Sequence, residues 1–107
     1  MELWSPVKIT VIKRLFLQEI ADEYLSDEMK AEGFGICNVF KDGQEFILTG
    51  PDMPPGFCAW AWADLHRDVI GVLTGASMNW SKGGAAISCC TDGYRPVFFK
   101  IERIDAP

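Results

Sequence analysis

Apolar and polar residues alternate over Val7-Lys8-Ile9-Thr10-Val11. That is the period of a half-buried strand, because successive strand side chains point to opposite faces. From Leu17 to Met29 the spacing becomes weakly helical, with Ile20, Tyr24 and Leu25 on the apolar side. Ser26 followed by Asp27 and Glu28 reads as an N-cap with acids in the first turn, and Gly33 as a stop. Cys37 to Phe40 and Gln44 to Thr49 are apolar runs joined by Lys41-Asp42-Gly43. Asp-Gly between two such runs predicts a β-hairpin. Gly50 to Gly56 carries three prolines and predicts a loop, with Pro54-Pro55 preparing a helix start.

Phe57 to Leu73 is the strongest helical pattern. At about 100° per residue, Cys58, Ala61, Trp62, Leu65, Val69, Val72 and Leu73 form one stripe. Asp64, Arg67, Asp68 and Gly71 lie opposite. A loop follows from Thr74 through Trp80 to Gly84. Ala85 to Cys90 then reads as a short buried strand, and Thr91-Asp92-Gly93 as a turn. Pro96 to Ile104 is the last strand, with Val97, Phe99 and Ile101 on one face and Phe98, Lys100 and Glu102 on the other. Two antiparallel hairpin signals favour an α+β fold over a doubly wound one. The expected architecture is a small mixed or antiparallel sheet packed against one main helix (about 57–73) and a shorter N-terminal helical segment.

The length, 107 residues, is that of one domain, 1–107. Hydrophobic residues make up 49% of the chain and charged residues 23%, enough to build a core. Four Trp and seven Phe are a large apolar load for an interior this small, which points to burial against a second copy. The formal net charge is −5 and the basic residues are scattered, so neither nucleic acid nor an anionic membrane is an expected partner. Met1 to Pro6 lacks the pattern of a signal peptide, and Phe57 to Ala63 is too short to span a bilayer. A cytoplasmic location with reduced thiols is expected, and no C-x-x-C pair argues otherwise.

Candidate chemistry rests on few residues. Cys37, Cys58 and Cys90 (or Cys89) would act as thiolate ligands or a redox pair if they met in space, with His66 or Asp92 completing a zinc-type shell. Against this, free Cys usually packs as a small hydrophobe, and Cys58 sits in the apolar stripe. Cys58 also stands near a helix N-terminus, where the dipole favours a thiolate. Cys89 and Cys90 would face opposite ways in a strand. His66, the only histidine, is of the residue type that serves as general base or ligand, but no spacing gives it an acid or nucleophile partner. Trp62 belongs to the core stripe, whereas Trp60 projects onto the polar face beside Asp64, as an interface or groove residue would. Trp80 sits in a loop where core packing is less obvious. Asp64 and Asp92 are the acids of interest, although Asp in a Thr-Asp-Gly turn usually bonds its own backbone. Lys82-Gly83-Gly84 is not a phosphate loop, and no hydrolase triad, metalloprotease or dinucleotide motif is present.

Lys41-Asp42-Gly43-Gln44-Glu45-Phe46 matches K-x-G-x-x-F. Pro54 to Ala61 matches P-x-G-x-C-x-W-A, and Cys90 to Val97 matches C-T-D-G-x-R-P-V. With Gly35-Ile36-Cys37, these segments resemble a family of small uncharacterised prokaryotic proteins of this length, over Val7 to Ile104. The resemblance implies that Cys37, Cys58 and Cys90, with Trp60, Asp92 and Pro96, are motif positions; Cys89 fits less well. It implies no mechanism.

Two functions follow as expectations. One is a thiol-lined pocket formed by Cys37, Cys58, Trp60, Trp62 and Cys90 that binds or acts on a small molecule or metal. Cys58, Cys90, Asp92 and His66 are its catalytic candidates. The alternative is a non-catalytic homo-oligomeric binding or assembly module with Trp60 or Phe98 at its interface. No motif assigns a cofactor or a metal.

Overall fold

The computed structural model describes residues 3–104. Met1 and Glu2, the first two residues of the stretch read for a signal peptide, lie outside the described residues. The chain runs β1 (Val7–Arg14), α1 (Gln18–Tyr24), α2 (Asp27–Ala31), β2 (Glu45–Leu48), α3 (Ala59–Leu73), a turn over Lys82–Gly84, β3 (Ala86–Cys89) and β4 (Val97–Arg103). The strands form one antiparallel sheet in the order β2-β1-β4-β3. The fold is α+β, with α3 as the main helix.

Alternation decides which way each strand faces. Val7, Ile9 and Val11 of β1, Phe46 and Leu48 of β2, and Val97, Phe99 and Ile101 of β4 are buried on one face. α3 covers that face with Ala61, Leu65, Val69, Val72 and Leu73. Phe40, Phe46, Phe57 and Phe99 meet at its centre, with edge-on ring pairs such as Phe40–Phe57 at 5.0 Å and Phe40–Phe99 at 5.1 Å, the arrangement that aromatic quadrupoles favour. The other sheet face is polar. Lys8 pairs with Glu45 and Lys100 with Glu102, while Ile47 and Ile87 stand exposed among them.

Three expectations need correction in detail. First, Cys37 to Phe40 forms no strand, so the expected hairpin with Gln44–Thr49 is absent. The Lys41-Asp42-Gly43-Gln44 turn exists, with Gly43 at φ +81°, a value that costs a side-chain-bearing residue. However, Gly43 N–H donates to Val11 O and Val11 N–H to Gln44 O. The turn therefore docks on β1, and β2 pairs there too. The carbonyls of Cys37 and Phe40 accept from the Arg14 guanidinium instead. Second, the N-terminal helical segment is broken. Ser26 takes an extended conformation (φ −65°, ψ 151°) and its hydroxyl accepts from Met29 N–H. A capping residue cannot continue the preceding helix. Third, α3 begins two residues later than expected, after Cys58 as its N-cap.

Candidate functional site

A cleft of about 140 Å3 opens at the N-terminal end of α3. Three separate segments supply it with thiols: Cys37 from the loop before β2, Cys58 from the N-cap of α3, and Cys90 just after β3. Phe40, Ala61 and Val97 form its apolar floor, Val39 and Trp60 its rim, and Asp92 and Arg95 its charged side.

Each thiol is there for a local reason. Cys58 takes the N-cap position, but its side chain makes no capping bond, which leaves the sulfur to the cleft. Cys90 continues the alternation of β3. Cys89 lies opposite Phe98 on the outer face, so Cys90 turns inward. Cys90 N–H donates to Val97 O, and Cys90 Sγ accepts from Val97 N–H at 3.3 Å. Cys37 packs against the edge of the core, held by the bond from Arg14 Nη1 to its carbonyl at 2.8 Å. All four cysteines are free. Burial pushes the Cys89 thiol above its ordinary range, and the neighbouring Cys90 and Asp64 push the same way.

The turn after Cys90 is fastened to α3. Asp64 accepts from Thr91 N–H at 2.7 Å and from the Thr91 hydroxyl. Trp60 Nε1 donates to Thr91 Oγ1 at 3.0 Å. These bonds hold the indole in one orientation while 63% of Trp60 remains exposed. Trp60 and Asp64 are one helical turn apart on the same face, as their spacing requires.

Asp92 organises the rest of the turn. Its Oδ1 accepts from Tyr94 and Arg95 N–H, and its Oδ2 accepts from Arg95 Nε at 3.0 Å. Burial alone would raise its pKa. The two backbone donors and the Arg95 guanidinium outweigh that and hold the carboxyl below the usual carboxylate range. Arg95 also lies over the Phe34 ring, 4.2 Å from its centroid, and Phe34 packs on Phe16 and Tyr94.

The structure thus brings Cys37, Cys58, Cys90, Trp60 and Asp92 to one cleft. Trp62 does not line it. Its ring packs on Phe57 in the core and on His66. His66 is exposed and stands apart from the cleft residues. Among the described residues, no group of three or more His, Cys, Asp or Glu side chains is arranged to hold a metal ion. Arg95, Val39 and Thr91 were not singled out in the sequence. Arg95 had a signal, since it follows Asp92 at i+3. Asp64 was singled out, but its pairing with Thr91, 27 residues later, had no signal. No protein-family model matches this chain, and neither does any curated protein or solved structure.

Proposed function

We propose that this chain is a small-molecule-binding domain whose ligand occupies the thiol-lined cleft at the start of α3. The observation that carries the reading is that cysteines from three separate segments line one cleft beside a fixed, exposed indole. They are also the motif positions of the family that the sequence resembles. The cleft is smaller than the roughly 300–1,000 Å3 of drug-sized sites, so the ligand is a small one. Cys58 and Cys90 are the thiols placed for any covalent step, with Asp92 beside them. Four free thiols suit a reducing compartment, and cytoplasmic residence belongs to the same reading. Among the described residues, no helix is long and apolar enough to cross a membrane.

A panel of metabolite-sized compounds tests this on the intact chain. Binders should raise the melting temperature and protect Cys37 and Cys58 from N-ethylmaleimide. Both effects should vanish in Val39→Trp, which fills the cleft from an exposed position. Stabilisation that survives in Val39→Trp, without protection of either thiol, would count against the reading.

The open sheet face supports a second reading, a homo-oligomeric assembly module. Ile47 and Ile87 are 56% and 51% exposed on that face, and burying such side chains is the usual reason for self-association. Sedimentation equilibrium at micromolar concentration separates the readings. A dimer mass supports assembly, and a monomer mass leaves Trp60 to the cleft.

A further inference from the structure

The cleft is mostly apolar, and its charged side consists of one acid and one base. Their hydrogen bonding is unequal. Asp92 already accepts three bonds, two from backbone N–H groups and one from Arg95. Arg95 gives only its Nε to that carboxylate, and its two Nη nitrogens have no hydrogen-bond partner among the described residues. Guanidinium is a planar donor suited to oxyanions. Here its plane is fixed twice, by Asp92 at one edge and by the Phe34 ring on one face. A donor held in place loses little conformational freedom on binding.

Building on the thiol-lined cleft as the binding site, we infer that its ligand is a small molecule with an apolar body and one oxyanionic group of the carboxylate class, with Arg95 as the anchor for that group. The apolar body lies against Trp60, Val39 and the thiols. The anion meets the free Nη edge. Other charges near the cleft do not supply the same contact. Arg14 spends its guanidinium on the Cys37 and Phe40 carbonyls and on Asp42, and Asp64 is tied to Thr91. The chain carries a net charge of −5, so its general field repels anions. Selection for one must come from close hydrogen bonding.

Two alkylating agents of nearly equal shape test this on the native protein. Iodoacetamide is neutral and iodoacetate carries a carboxylate. In both reactions the thiolate displaces iodide and a carbon–sulfur bond forms. The same thiolate attacks both reagents, so the ratio of their rates cancels each thiol's ionised fraction. Peptide mapping gives the iodoacetate-to-iodoacetamide ratio at each cysteine, and Cys89, outside the cleft, is the internal reference. The ratio at Cys37 or Cys58 should exceed that at Cys89 by roughly threefold or more, the range of a partly exposed charge contact.

Arg95→Gln should bring it down to the Cys89 value, while Arg95→Lys, which keeps the charge, should retain part of the preference. Added salt should lower the ratio in the cleft and raise it at Cys89, a measurement that needs no variant to fold. If Cys37 and Cys58 react readily with a ratio equal to that of Cys89, the anionic anchor is refuted and the cleft remains a binding site. If neither reagent reaches these thiols in the native protein, the cleft reading itself is refuted and the anchor with it.

Discussion

The sheet with α3 and the arm of α1 and α2 are held in different ways. In the body, Ile9, Leu65, Phe99 and Ile101 are fully buried, and four strands share one hydrogen-bonded ladder. In the arm, α1 buries only Ala21 and α2 buries nothing. Helices this short are marginal on their own. The arm is kept by local devices, which include the Ser26 cap, the Lys30 Nζ bond to Asp22 O, and the Gln18–Asp22 pair. The body is therefore one cooperative unit, and the arm is secured turn by turn. The cleft lies where they meet, since Leu15 and Leu17 bond to the Pro96 and Tyr94 carbonyls and Phe34 supports Arg95.

The strongest way to break this contrast is to empty the body. Phe99→Ala should lower global stability by about 3–5 kcal/mol, read by urea denaturation, because Phe99 is fully buried and touches two other rings. A loss comparable to that of a surface change would mean the core does not close as described. The fastening of the turn comes next. Thr91→Val removes the hydroxyl bonds to Asp64 and Trp60 and should cost about 0.5–1 kcal/mol. The fluorescence of Trp60 should shift as its indole loses a fixed partner, and an unchanged spectrum would deny that the bond orients the ring.

Acid sharpens the comparison within the turn. The folded-state pKa of Asp92 is depressed. Its contribution is therefore complete above the unfolded carboxylate value of about 3.9 and is lost as pH falls through the lower folded value. Asp92→Asn should flatten that part of the stability-against-pH curve and leave the neutral and alkaline parts parallel to the native ones. The smallest global effect belongs to the arm. Ser26→Ala removes a cap of about 1 kcal/mol, yet it should speed amide exchange over Asp27–Ala31 with little change in melting temperature. A cooperative drop in melting temperature would show that the arm and the body fold as one.

What the sequence disclosed follows the same division. The stripe of α3 and the alternation of β4 were legible because burial on one face imposes a period. The Asp42-Gly43 turn was legible too, but its pairing was not. Turn chemistry is local, whereas the choice of β1 over Cys37–Phe40 depends on Arg14 and Val11, which lie far back in the chain. The cysteine positions were visible as residues of interest. Their meeting point was set by how three segments pack, and the free edge of Arg95 by a ring at Phe34 that no spacing connects to it.

Arg14 ends β1 just past the register shift at Ile12. Its guanidinium bonds Cys37 O, Phe40 O and Asp42 Oδ1, the last at 3.1 Å. The Cys37–Phe40 wall of the cleft is thus held by Arg14 and by Phe40 buried in the core, without a strand ladder. Loss of the Arg14 bonds would free the Cys37 end of that wall, while Phe40 keeps its other end in the core. The exposed Asn38–Val39 stretch between those two anchors is the part of the cleft rim least tied to the body.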